Sequence, residues 1–109
     1  MIILLRQHAT PDEIAKVSQD LDGYIKVAVD VRQKILAAGG KRHVDAEHVL
    51  LQSGSRQEDL WGGGIDWETK GLDYDSMINI RPSQGNTSRE VLSSDIRKQM
   101  EELIRLYFL

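Results

Sequence analysis

Residues 25–31, IKVAVDV, constrain the fold more than any other stretch: Ile25, Val27, Val29 and Val31 recur at every second position, with Lys26, Ala28, Asp30 and Arg32 interleaved. Successive side chains of an extended chain point to opposite faces, so this alternation predicts a strand with one buried and one wet face. Such a strand needs neighbours to pair with and helices to cover its apolar side.

Both are present in the pattern. Ile2 to Leu5 form a short aliphatic run suited to a second strand, and Thr10-Pro11-Asp12-Glu13 then opens a helix. Thr10 suits the N-cap, Pro11 the first helical position, and Glu13 completes a capping box. Ile14, Val17 and Leu21 share one face of that helix, which Gly23 ends. A second helix starts near Ser93 or Ser94, with Ile96, Met100, Leu103, Ile104 and Tyr107 as its apolar stripe. Leu106, Phe108 and Leu109 exceed that stripe and are expected to cover a neighbouring subunit.

Between the helices the expected order is extended. Gly39-Gly40 reads as a hairpin turn leading to a strand through Val49, Leu50 and Leu51, which would set Arg32 opposite Glu47 and Lys34 opposite Asp45. Glu58 to Trp61 reads as a short strand, Gly62 to Gly71 as a pliable loop carrying Trp67, and Tyr74 to Arg81 as a further strand. The expectation is a single α+β domain over residues 1–109, with four to five largely antiparallel strands in the order β-α-β-β-β-β-α. Two helices cover one face. The other face, with Lys26, Asp30, Arg32, Lys34, Asp45 and Glu47, is expected to be solvated or to meet a second subunit.

Composition narrows the function classes. A chain of 109 residues, 40% hydrophobic and 28% charged, has the make-up of a globular domain. Its net charge of −3 speaks against nucleic acid as a partner, because neutralising phosphates requires a basic surface. The absence of cysteine excludes disulfides and thiolate chemistry, in keeping with a cytoplasmic setting. The opening residues form neither a signal peptide nor a membrane span, and no membrane partner is expected.

Three motifs carry candidate chemistry. In HVDAEH, residues 43–48, an extended chain would project His43, Asp45 and Glu47 from one face, a donor set suited to divalent ions. The cross-strand pairs with Lys34 and Arg32 explain the acids more simply, so no metal and no cofactor are expected. His48 would fall among apolar neighbours as a core residue. In SGSRQEDLWGGG, residues 53–64, the adjacent Glu58 and Asp59 precede Trp61. Alternation would separate the two acids, so one of them is expected to pair with Arg81 or Arg89 while Trp61 packs beneath. In INIRPSQGN, residues 78–86, Pro82 ends strand pairing, and Gln84, Gly85 and Asn86 follow before Arg89. Two guanidinium groups flanking a small-residue loop can grip a carboxylate or phosphate. The simpler account makes the same stretch a turn, with Gly85 supplying positive φ and the arginines paired to Glu58, Asp59 or Asp75.

The strings GSRQEDLWG and INIRPSQGN, with VDV at 29–31 and GGKRHVDAEHVLL at 39–51, resemble a family of small bacterial proteins, mainly cyanobacterial, that carry a domain of unknown function. The resemblance runs from about Ile25 to the final helix and implies a bacterial, cytoplasmic origin. It transfers no residue role.

The function expected from the sequence is a binding or interaction module, assembled as a homo-oligomer such as a dimer, that recognises a small anionic ligand. Arg81, Gln84, Asn86 and Arg89 would hold it, with Glu58, Asp59 and Trp61 alongside. Two alternatives stand beside it: a small hydrolase using His43 or His8 with Glu58 or Asp59, and a regulatory or toxin–antitoxin-like partner protein.

Overall fold

The computed structural model describes residues 1–109. In chain order the elements are β1 (Ile2–Leu5), α1 (Pro11–Gln19), β2 (Tyr24–Asp30), β3 (Ile35–Gly39), α2 (His43–Gln52), β4 (Leu60–Asp66), β5 (Leu72–Asp73) and α3 (Ser94–Phe108). Single 3-10 turns lie at Gln57–Asp59, Met77–Asn79 and Pro82–Gln84. The five strands form one sheet in the order β1-β3-β2-β4-β5, every neighbouring pair antiparallel. The alternating stretch at residues 25–31 lies in the middle strand, β2, as its demand for partners on both sides requires.

The α+β class holds, and α1 and α3 cover one face as expected. Ile25, Val27 and Val29 of β2 meet Ile14 and Val17 of α1 and Met100, Leu103, Ile104 and Tyr107 of α3 in a cluster of 18 buried residues. Burying each large aliphatic side chain there is worth about 1.5–3 kcal/mol. α1 carries the capping box: Glu13 N–H donates to Thr10 Oγ1 at 3.1 Å and Thr10 N–H donates to Glu13 Oε1 at 2.9 Å. α3 is capped by Ser93, and Tyr107 donates its hydroxyl to Lys34 O at 2.6 Å, pinning the helix to the β2–β3 turn.

The opposite face corrects the expectation of a solvated or subunit-facing surface. α2 covers it, burying Ala46, Glu47 and Leu50 against Ala28, Ala37 and Leu60. Residues 43–52 are therefore helical rather than extended, and the pairs Arg32–Glu47 and Lys34–Asp45 do not form. Asp45 instead meets Arg42 at 3.2 Å, and His48, expected in the core, is exposed.

The hairpin turn also moves. It lies at residues 31–34, where the buried Asp30 carboxylate accepts the Arg32 and Gln33 amides at 2.9 Å each and the Ser55 hydroxyl at 2.6 Å. Lys34 takes the left-handed conformation, φ 60°, so an aspartate closes the turn without a glycine. Gly39 and Gly40 also have positive φ, and they lead the chain from β3 towards α2.

Gly62, Gly63 and Gly64 form the middle of β4 and not a pliable loop. Side chains there would overlap Ser76, the Asp73 backbone and the Tyr24 phenol respectively. Residues 74–81, expected as a strand, contribute only the Asp75–Glu90 and Arg81–Asn86 bridges around 3-10 turns. Phe108 is buried in the chain's own core, edge-on to Trp67, while Leu106 and Leu109 remain exposed. No helix is long and apolar enough to cross a membrane.

Candidate functional site

The loop INIRPSQGN folds into architecture first. Arg81 and Asn86 exchange backbone hydrogen bonds of 2.7 and 3.1 Å, closing Pro82–Gly85 into a turn whose Gly85 has φ 75°. The Arg81 guanidinium donates to the carbonyls of Gln57 and Leu60 and lies 3.9 Å from the centroid of the Trp61 ring. Gln84 donates to Glu58 O at 3.0 Å. The two unusual strings are thus brought together, but through main-chain carbonyls of the 57–60 turn instead of carboxylate side chains. Glu58 faces Arg56 at 3.7 Å, and Asp59 is only half-buried.

The asparagines do similar work inside the fold. Asn79, fully buried, accepts the Gly62 amide at 2.8 Å and donates to the Gly62 and Arg89 carbonyls at 2.9 Å, replacing a strand partner on the free edge of β4. Asn86 accepts Leu92 N–H and donates to Asn79 O. None of the cavities is lined by Arg81, Gln84, Asn86, Glu58, Asp59 or Trp61. Arg89 pairs with Asp75 at 2.9 Å.

Arg89 leads to the place where polar chemistry converges on open space. Two adjoining depressions, about 280 and 330 Å³, share Lys26 of β2, His43 at the start of α2, and Arg89. The first also holds Arg42 and Ser76, with Val44, Met77 and Ile78 as an apolar wall. Tyr24, Asp73, Asp75 and Glu90 line the second. Its acids are engaged: Asp73 accepts the Tyr24 hydroxyl at 2.6 Å, Asp75 meets Arg89, and Glu90 meets Arg97 at 2.8 Å. Burial, with Asp73 alongside, holds the Tyr24 phenol far above its usual pKa, so it remains a neutral donor.

His43 is 8% exposed, and its Nε2 lies 2.6 Å from Gly63 O. A carbonyl only accepts, so Nε2 carries the proton and Nδ1 has a bare lone pair. Nδ1 makes no hydrogen bond and is not sealed from solvent. Burial lowers the His43 pKa; the Gly63 carbonyl opposes that shift and the Lys26 charge reinforces it. The ring is neutral at pH 7.

Lys26, half-buried, makes neither an ion pair nor a hydrogen bond. α2 begins beside it without a capping side chain, because Arg42 occupies the N-cap and offers no acceptor. The amides of His43 and Val44 have no backbone acceptor, and a helix start in that state favours negative charge.

His43 lines this groove and His8 a separate apolar hollow beside Trp67 and Phe108, and neither depression includes Glu58 or Asp59. No cluster of three His, Asp or Glu side chains is placed to hold a metal ion. Sequence reasoning singled out Arg89 and His43 but left Lys26 on a wet sheet face and passed over Arg42 and Ser76. The signal that could have joined them is GKRH, residues 40–43, once 43–52 is read as a helix starting at the histidine.

Fold and groove together define a small α+β protein with an open, cation-lined groove where a helix starts above an antiparallel sheet. The chain belongs to the family described as Protein of unknown function (DUF5674), whose model matches residues 3–107. No curated protein and no solved structure matches it.

Proposed function

We propose that the chain is a binding module for a small anionic ligand, held in the groove of Lys26, Arg42, His43 and Arg89 instead of between Arg81 and Arg89. The observation that carries this reading is Lys26: a half-buried lysine that lines both depressions and makes neither an ion pair nor a hydrogen bond. The two arginines beside it are in exposed pairs with Asp45 and Asp75, of a kind worth about 0–1 kcal/mol, so an incoming anion competes for them readily. The uncapped start of α2 adds amide donors of the same polarity. A cytoplasmic setting fits the cysteine-free composition.

The test is a backbone-amide NMR titration with inorganic phosphate and, separately, propionate. Saturable shifts are expected at residues 26, 42–44, 76–78 and 89. Lys26→Ala is expected to weaken binding about ten-fold, the order of one charge-assisted hydrogen bond. Saturable shifts centred on 81–86, or none anywhere, would overturn the assignment.

A further inference from the structure

We infer that the ligand of this groove carries a hydroxyl next to its anionic group, received by Nδ1 of His43, and belongs to the class of short 2-hydroxycarboxylates. The inference rests on the groove being the binding site. It follows from what His43 can and cannot do. With Nε2–H committed to Gly63 O, the open nitrogen is an acceptor only. Such a nitrogen repels a carboxylate oxygen and favours a ligand atom bearing hydrogen.

The cations supply the other half. Lys26 and Arg89 line the same space as the imidazole, so a carboxylate meets them while a neighbouring O–H turns to Nδ1. An ammonium in place of the hydroxyl would sit beside the Lys26 charge, and of the nearby acids Asp75 and Glu90 are already paired with arginines while Asp73 is held by the Tyr24 hydroxyl. The substituent on the hydroxyl-bearing carbon has Val44, Met77 and Ile78 to pack on.

The experiment compares lactate with propionate, which differ in that hydroxyl alone, on the intact chain and on His43→Gln. Glutamine places its amide N–H₂ where Nε2 stands, keeping the bond to Gly63 O, and leaves nothing at Nδ1. Lactate is expected to bind the parent roughly ten-fold tighter than propionate, the scale of one satisfied hydrogen bond in a partly dry site. In His43→Gln the two affinities converge while propionate binding is unchanged. Nitrogen-15 spectra of the parent ring should show the Nε2–H tautomer at pH 7, a readout that needs no variant. Equal affinities in the parent, an undiminished preference in the variant, or an Nδ1–H tautomer would each overturn the inference and leave the anion site standing. Failure of propionate, phosphate and lactate alike would remove both.

Discussion

At the scale of single residues, the buried polar side chains replace missing backbone partners. Asn79 completes the free edge of β4 at Gly62, and no apolar residue can substitute. Asn79→Ala leaves several buried main-chain groups unsatisfied and is expected to cost about 3 kcal/mol, read from the urea midpoint. Glu47 behaves differently. It is buried under α2 with Oε2 lacking a partner, and burial raises its pKa despite the nearby Arg81 charge. The folded chain therefore holds that proton more tightly than the unfolded chain. Stability from this group is fully present at acid pH, declines as pH rises from the ordinary carboxylate value through the raised one, and is level above it. Glu47→Gln, neutral throughout, should lack that decline and be more stable than the parent at pH 7, with the advantage shrinking towards pH 4. An advantage that grows on acidification would show that Glu47 is stabilised as the anion. The roles of Asn79 and Arg81 were hidden in the sequence because their partners are main-chain groups, those of Gly62, Tyr74 and Arg89 for Asn79 and of Gln57 and Leu60 for Arg81, and a main-chain group has no letter of its own.

At the scale of elements, legibility followed whether the local signal lay in side chains. The capping box of α1, the alternation of β2 and the stripe of α3 are side-chain patterns, and all three elements stand where those patterns put them. α2 starts on an arginine with no capping hydrogen bond, so its beginning was silent, and its buried Ala46, Glu47 and Leu50 include a charge that breaks the apolar period. The glycines of β4 misled for the opposite reason: their small size serves close packing against Ser76, Asp73 and Tyr24, a requirement set by distant residues. Gly63→Ala would drive a methyl into the Asp73 carbonyl, which backbone cannot avoid cheaply. We expect a loss of about 2–3 kcal/mol and of amide protection in β5. The start of α2 offers the reverse experiment. Arg42→Ser supplies the missing cap and should stabilise the fold by about 1 kcal/mol, while removing a cation and occupying a free amide should weaken phosphate binding. Gains in both would separate the helix start from the groove.

At the scale of the whole molecule, one sheet serves two unequal cores. Eighteen buried residues lie in the cluster on the α1–α3 face and six in that on the α2 face, so the core that α2 covers is the smaller. Cooperative units with little buried apolar contact open at free energies below global unfolding. α2 is therefore expected to exchange its amides through a local opening, at lower free energy than the β2 amides between β3 and β4. The same helix contributes Arg42, His43 and Val44 to the groove, which couples this weak unit to the ligand. A ligand that binds only the closed form adds stability to it, about 2.7 kcal/mol at a hundred times its dissociation constant. Phosphate at that excess should raise protection in α2 and in β2 by the same binding term, leaving the gap between the local opening and global unfolding unchanged. Native-state hydrogen exchange across a urea series reads both slopes. If phosphate protects β2 and leaves α2 exchange untouched, α2 opens without releasing the ligand, and the groove cannot depend on the residues at the helix start.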